Sequence, residues 1–486
     1  MAPEVEPFAK TGGLADVAGA LPAALTGLGH DIRILMPKYR GVDARAGDMR
    51  VVVPRLTVRL GDHDVEGTLS EGRTATDVPV YFLGNDHYYG REHLYGTGDG
   101  DYWDNCERFI FFCRGGLEGL LHLRDRSGES WQPQVIHCND WQTGLIPVYL
   151  RTLYRDDPNL GRLATLFTIH NLAYQGVFWH YDVQMTGLGW DLFTPAGIEF
   201  YGKLNFLKAG LVFSDLLTTV SRTYAREIRT AAFGNGLEGV LEERSQDLHG
   251  VVNGIDYDVW NPAKDAALRQ PYSADDPTGK AACRAALREQ LGLEAAPGPL
   301  VVMVTRLVEQ KGLDLVLQAL PGILAEGCQF ALLGTGDASL ETAFEEAARD
   351  YPGRMAVRIA YDDELARRMY AGSDCVLMPS RYEPCGLTQL IALRYGAVPI
   401  VRRTGGLTDT VIEFDPARRT GTGFAFDAFA VDALHDALRR VTSAYRQPAV
   451  WKALVKNAMT QDFSWEASAR EYVTLYGKAL KAKGSL

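Results

Sequence analysis

Two short phrases in this chain could hold an anion: Thr11-Gly12-Gly13-Leu14-Ala15-Asp16 near the start and Thr404-Gly405-Gly406-Leu407-Thr408-Asp409 near the end. Each follows a basic residue, Lys10 or Arg403, and each opens an amphipathic helical pattern. Paired glycines at a helix start let a ligand approach backbone N–H groups, and the helix dipole favours negative charge there. One copy is usually only a turn; two copies point to two similar domains, each offering such an element to a phosphorylated ligand. Arg306 and then Lys311 follow the apolar run Leu300–Val304. Two cations leaving a strand end could neutralise a diphosphate, or simply line a solvated loop. In Pro379-Ser380-Arg381-Tyr382-Glu383-Pro384-Cys385-Gly386-Leu387-Thr388, the proline disfavours helix at Glu383, while Gly386, Leu387 and Thr388 would present N–H groups at a helix start. A carboxylate beside such a turn suits a site where a positive sugar centre forms as phosphate leaves; the bland alternative is a helix N-terminal charge. His170, ending the run Leu163–Ile169, is by itself more often structural.

The elements that must position these groups follow from the hydrophobic pattern. At 486 residues the chain exceeds what one core usually supports. Apolar β-rich runs at Asp31–Met36, Val78–Leu83, Val135–Cys138, Leu163–Ile169 and Leu216–Val220 alternate with helical patterns. The second half repeats this at Leu300–Val304, Gln329–Leu333, Met355–Ile359, Cys375–Met378 and Val398–Val401. Alternation of this kind predicts an α/β chain with two doubly wound, Rossmann-like parallel sheets. The boundaries read as a first domain over 1–252, a linker over 253–262, a second domain over 263–462, and a C-terminal segment over 463–486. In that segment Trp465, Ala469, Tyr472, Val473 and Tyr476 form a helix stripe expected to return to the first domain.

Composition excludes several partners. A formal net charge of −11 argues against nucleic acid, though not against a small nucleotide. No apolar run approaches a membrane span, and seven scattered cysteines without a C-x-x-C pair read as reduced thiols. A cytoplasmic protein is expected. Nothing in the sequence speaks to oligomeric state.

Taken in order, Lys10-Thr11-Gly12-Gly13-Leu14, His170-Asn171-Leu172-Ala173-Tyr174-Gln175-Gly176, Asn253-Gly254-Ile255-Asp256, Arg306 with Lys311, and Glu383-Pro384-Cys385-Gly386-Leu387-Thr388 resemble the bacterial glycogen synthase and plant starch synthase family. The resemblance spans nearly the whole chain. It implies the GT-B architecture, two Rossmann-like domains facing across a cleft. It also implies transfer of glucose from ADP-glucose to the non-reducing end of an α-1,4-glucan such as glycogen, with retention, no cofactor and no metal. Arg306 and Lys311 would then bind the diphosphate, helped by the N–H groups of Leu387 and Thr388 beside Cys385 and Gly386. Lys10 and Gly13 would close over the donor, and Asp16, Asn253 and Glu4 would belong to the glucose pocket. The His170 carbonyl would steady the oxocarbenium-like centre, with Glu383 near the sugar as nucleophile, stabiliser or ligand. Asp140 and Trp141 would meet the acceptor through a hydroxyl contact and a stacking face, with Gln142 where some members carry histidine.

One departure concerns the start. Members of that family usually carry an apolar strand just before the segment matching Glu4 to Gly13, whereas this chain opens Met1-Ala2-Pro3-Glu4. The first strand of the N-terminal sheet is therefore expected to be missing, at a cost in stability and activity. Three rivals remain at this stage. A metal-dependent GT-A transferase would use Asp99-Gly100-Asp101 and be sensitive to EDTA. A UDP-glucose-dependent synthase or a phosphorylase would share the GT-B frame. A non-enzymatic glucan-binding protein is the third.

Overall fold

A computed structural model describes residues 1–98, 100–125 and 127–484. The chain forms two compact units. The first comprises residues 1–220, 225–251 and 465–486; the second comprises 221–224 and 252–464.

In the first unit, β1 (Ile34–Pro37), β2 (Arg50–Leu60), β3 (His63–Arg73) and β4 (Pro79–Gly84) form one sheet in the order β1-β4-β3-β2. The β2–β3 hairpin and the β3–β4 pairing are antiparallel, whereas β1 and β4 run parallel. A second sheet, in the order β11-β10-β6-β5, is all parallel and built from β5 (Val135–Asn139), β6 (Ala164–Ile169), β10 (Leu216–Thr219) and β11 (Leu248–Gly250). Between β6 and β10 the chain makes an excursion carrying the short antiparallel strands β7 (Val177–Phe178), β8 (Glu199–Phe200) and β9 (Lys203–Asn205).

The two four-stranded sheets do not join. Met1 and Ala2 lie between β1 and β5: the Met1 amine donates to His137 O at 2.6 Å, and Ala2 N–H donates to Leu35 O at 3.1 Å. Beside them is a cavity of about 600 Å³, lined among others by Ile32, Ile34, Val135, His137 and Tyr476. A slot bordered by β1 and β5 thus continues past Met1 and Ala2. Burial pulls the Met1 ammonium pKa down from its usual value.

Helix α1 (Gly13–Gly27) buries Leu14, Val17, Leu21 and Leu25. The C-terminal helix Trp465–Lys483 buries Trp465, Ala469, Tyr472, Leu475 and Ala479 in one cluster with Val17, Leu21, Leu166 and Leu216. The spacing of those residues is one helical face, which is why the helix belongs to the first unit although its sequence follows the second.

The second unit is a six-stranded parallel sheet of β12 (Leu300–Val304), β13 (Gln329–Gly334), β14 (Met355–Ile359), β15 (Cys375–Met378), β16 (Val398–Arg402) and β17 (Phe424–Phe426). Its order, β14-β13-β12-β15-β16-β17, reverses direction between β12 and β15. The turn-rich segment expected to be a linker is instead packed into this unit. Ile255 N–H donates to Phe463 O at 2.8 Å, and Trp260 meets Tyr370 and Tyr395 edge-on. Turn residues marked an irregular path correctly, but buried aromatics within it fix that path to the core. All seven cysteines are unpaired and buried: Cys106, Cys113 and Cys138 in the first unit, Cys283, Cys328, Cys375 and Cys385 in the second.

Candidate active site

In an open α/β sheet, ligands bind outside the carboxyl ends of the strands where the strand order reverses. In the second unit that place lies between β12 and β15, and the sequence puts its charged groups there. Arg306 and Lys311 follow β12; the segment from Ser380 to Thr388 follows β15. Arg306 is exposed. Lys311 closes a single 3-10 turn, Glu309–Lys311, before helix α3 (Leu313–Ala325). Gly312 joins them in the left-handed region (φ 70), and a Cβ there would sit 2.2 Å from Pro379 O. Close approach of the two strand-end loops thus depends on glycine. It brings Lys311 Nζ to 2.6 Å from Glu383 Oε2, with both side chains mostly shielded. Ser380 Oγ donates to the same carboxylate oxygen at 3.1 Å.

Cys385 is buried, and burial pushes its thiol up to about 12, so it stays neutral. Asn253 N–H donates to its sulfur, while Asn253 Oδ1 is buried without a hydrogen-bond partner among the described residues. Helix α4 (Thr388–Arg394) follows with no side-chain cap, and Gly386 before it is left-handed (φ 75).

The two glycine phrases do different things. In the second, Thr404, Gly405 and Gly406 are buried, and helix α5 (Gly405–Thr410) is pressed onto the Glu383 loop. Gly406 N–H donates to Glu383 O and Pro384 O, each at 3.1 Å. A Cβ on Gly405 would lie 2.0 Å from Glu383 O, and one on Gly406 2.1 Å from Cys385 O. The glycines were expected to admit a ligand; they admit the chain's own backbone instead. In the first phrase, Thr11, Gly12 and Gly13 are exposed, and nothing lies within 4 Å of a Cβ on Gly12. Lys10 and Thr11 border a cavity of about 620 Å³ shared with Arg40, Arg45 and Tyr95. Only this copy is open to a ligand.

Other first-unit residues land as follows. Lys10 Nζ pairs with Asp16 Oδ1 at 2.7 Å. Glu4 is buried beneath the glycine loop; its carboxylate accepts from Thr11 N–H, from Thr11 Oγ1 at 2.7 Å and from Tyr95 OH at 2.6 Å. That makes it the anchor of the loop rather than a free sugar ligand. Burial lowers the His170 imidazole to about 3, so it is uncharged at neutral pH. Its Nε2 lies 2.9 Å from Asn139 Oδ1, an acceptor, which assigns the proton to Nε2. Asp140 Oδ1 accepts from His170 N–H at 2.7 Å, and burial raises the Asp140 carboxyl to about 8.

Trp141 corrects an expectation. The residue is 9% exposed; its ring is edge-on to Phe109 at 4.8 Å, and a Cβ on Gly176 would fall 2.3 Å from it. It is a core residue with no open face for a sugar. Gln142 is buried as well. Neighbours in sequence to a plausible hydroxyl contact, both turn inward where the chain leaves β5.

Sequence reasoning missed Tyr95, Asn139 and Ser380, which hold Glu4, His170 and Glu383. It also missed Ser221 and Thr223 of the second unit. Ser221 Oγ donates to Pro384 O at 2.6 Å; Thr223 N–H and Oγ1 bind the Asp409 carboxylate at 2.8 and 2.6 Å. No local pattern marks such distant partners. Asp99 lies outside the described residues, and Asp101 is exposed; among the described residues no group of three His, Cys, Asp or Glu could hold a metal ion.

Two α/β units, the second with cations and a carboxylate at its switch point, define a GT-B glycosyltransferase. Residues 1–243 match the family described as the starch synthase catalytic domain, and residues 287–458 match glycosyl transferases group 1. The chain is 50% identical over 481 residues to a glycogen synthase of Syntrophotalea carbinolica, covering 99% of this chain and 98% of that one. It is 48% identical to glycogen synthase 2 of Geobacter sulfurreducens over 480 residues, with 99% and 98% covered. Among solved structures it resembles the catalytic domain of starch synthase IV from Arabidopsis thaliana bound to ADP and acarbose, with a TM-score of 0.88, 36% identity, and 99% and 98% covered. A sucrose-phosphate synthase from Thermosynechococcus elongatus shares the fold at a TM-score of 0.59 and 20% identity, with 97% and 94% covered. The chain belongs to the glycogen synthase and starch synthase family. It is an enzyme of glucosyl transfer in glycogen synthesis.

Proposed function

We propose that the donor is ADP-glucose, that glucose passes to the non-reducing end of an α-1,4-glucan with retention, and that no metal or cofactor takes part. The observation carrying this is the Lys311–Glu383 pair at the switch point of the second sheet, beside the exposed Arg306. Arg306 and Lys311 take the diphosphate, and their charge replaces a metal ion as the C1–O bond breaks. Lys311 already faces one carboxylate, so an arriving diphosphate meets a cation whose position is fixed beforehand. The N–H groups of Leu387 and Thr388 at the uncapped start of α4 add donors beside it. The buried, unpartnered Asn253 Oδ1 accepts from a glucose hydroxyl. Glu383 acts as stabiliser or sugar ligand, and the leaving phosphate removes the proton of the acceptor hydroxyl on the same face. His170, being neutral, contributes through its backbone carbonyl. The ADP in the starch synthase IV structure supports the choice of nucleotide.

The test is turnover by purified protein with glycogen primer and either ADP-glucose or UDP-glucose. A higher kcat/KM with ADP-glucose is expected; equal or better use of UDP-glucose overturns the donor assignment. Lys10, paired with Asp16 at the open glycine loop, is assigned to closing over the donor. Lys10→Gln is therefore expected to raise the KM for ADP-glucose at least as much as it lowers kcat. A change under about threefold in both constants removes Lys10 from the site.

A further inference from the structure

The loop that carries Glu383 is held by residues far from it in the chain. Every carbonyl from Glu383 to Gly386 has a partner. Glu383 O and Pro384 O both accept from Gly406 N–H at 3.1 Å, and Pro384 O also accepts from Ser221 Oγ at 2.6 Å. Cys385 O and Gly386 O each accept from the buried Gln389 amide at 2.9 Å. In a trans peptide a carbonyl and the N–H that follows it point opposite ways. Holding the carbonyls of Pro384, Cys385 and Gly386 therefore fixes the directions of the N–H groups of Cys385, Gly386 and Leu387. The same bonds fix the backbone from which the Glu383 side chain springs.

Two of these anchors are tied to each other. Gly406 lies on α5, and Asp409 of that helix accepts from Thr223 N–H at 2.8 Å and from Thr223 Oγ1 at 2.6 Å. Ser221 stands two residues before Thr223, ahead of the short helix Arg222–Glu227, and its Oγ also accepts from Tyr224 N–H at 3.1 Å. The segment 221–224, which belongs to the second unit, helix α5 and the Glu383 loop are thus bonded pairwise in a closed triangle. None of the three can shift without breaking bonds to the other two. Ser221 and Thr223 are buried, so water does not make good a lost bond, and an unmet buried group is costly. A further tie runs from Gln389 Nε2 to Thr410 Oγ1 at 3.2 Å, joining α4 to α5.

We propose that Ser221 and Asp409, the latter through Thr223, are positioning residues for glucosyl transfer. They keep the Glu383 carboxylate at Lys311, 2.6 Å away, and keep the N–H groups of the loop aimed at the donor diphosphate. Groups that stabilise developing charge are effective only when they are in place beforehand. A misplacement of about 1 Å costs on the order of 10²-fold in rate. Neither residue is assigned a contact with substrate. The inference rests on the proposed part of Glu383 and Lys311 in the reaction.

Steady-state kinetics of Ser221→Ala, Asp409→Ala and Asp409→Asn, each beside a thermal melt, tests this. Alanine at 409 removes both bonds to Thr223. Asparagine keeps them, its Oδ1 accepting from the N–H and its Nδ2 donating to Oγ1. In folded protein both alanine variants are expected to lose about tenfold or more in kcat, with a smaller rise in the KM for ADP-glucose. Asp409→Asn is expected to recover most of the parent kcat. A role in stability alone lowers Tm and leaves kcat at the parent value well below the melt. Because residues in one network are not additive, Asp409→Ala should cost less in a Lys311→Gln background than in the parent. Parent kcat in the folded alanine variants overturns the proposal, as does Asp409→Asn no better than Asp409→Ala, or full additivity with Lys311→Gln. Should Ser221→Ala not fold, Asp409→Ala on the half-buried face of α5 decides the matter. Glu383→Gln separates the two readings. Parent activity there overturns the part given to Glu383 and the positioning with it. An inactive Glu383→Gln beside fully active alanine variants overturns the positioning alone.

Discussion

Lys311→Gln is expected to lower kcat by roughly 10²–10³, the usual loss for one preorganised group facing transition-state charge. The geometry sets the direction of the effect on each constant. Lys311 Nζ stands 2.6 Å from Glu383 Oε2, so in the free enzyme its charge already has a partner. As the diphosphate departs, negative charge grows where donor binding alone had less of it. The lysine's contribution is thus greatest in the transition state, and kcat should fall more than the KM for ADP-glucose rises. Removing one member of a shielded ion pair also leaves the other uncompensated, which costs about 3–5 kcal/mol where burial is complete and less here, where Lys311 keeps some exposure. Steady-state kinetics should therefore be read beside a thermal melt. A well-folded Lys311→Gln enzyme with both constants within about threefold of the parent would take Lys311 out of the reaction.

Filling the slot between β1 and β5 is expected to have the largest effect on stability. On the facing edges of these strands, Leu35 O and His137 O are engaged by Ala2 and Met1, and a cavity of about 600 Å³ lies alongside. Apolar side chains buried in that cavity would contribute about 1.5–3 kcal/mol each, a sizeable part of a margin of about 5–15 kcal/mol. Placing about seven apolar residues ahead of Ala2 supplies ladder partners, fills the cavity and turns a buried ammonium into an amide. At about 2–4 °C per kcal/mol for a unit of this size, a rise in Tm on the order of 5–10 °C should follow. Slower hydrogen exchange at the amides of β1 and β5 would place the effect in the slot. Activity should rise too, because Met1 and Ala2 lead directly into Glu4 and the glycine loop it anchors. An extended protein with unchanged Tm, unchanged exchange and unchanged turnover would show that the slot is not a strand position.

Much of the parallel framework was legible because each buried strand is an uninterrupted apolar run. All five strands expected in the second unit are present with nearly the expected bounds. The β2–β3 hairpin was less legible: Leu56, Val58 and Leu60 alternate inward ahead of the Gly61-Asp62 turn, but Thr57 and Arg59 between them break the continuous apolar run that marks a buried parallel strand. Edge strand β17 is only three residues long, too short to carry a period. The site was legible where chemistry sits at strand ends, as with Arg306, Lys311 and Glu383. It was not legible where a residue's surroundings decide its role. Nothing in Thr-Gly-Gly-Leu distinguishes the exposed copy at Gly12 from the buried copy at Gly405, because the distinction is made by Glu383 and Cys385 carbonyls arriving from elsewhere in the chain. Trp141 likewise reads as a sugar platform until Gly176 and Phe109 cover it.

The burial of every thiol gives the protein a built-in clock for its own opening. A thiol reagent in solution can reach none of the seven sulfurs without local or global unfolding. Three of them report on one unit and four on the other, so mass-resolved labelling over time counts each unit's excursions separately. Labelling at Cys138, on β5 beside the slot, should then outpace that at Cys375, in the middle of an unbroken sheet.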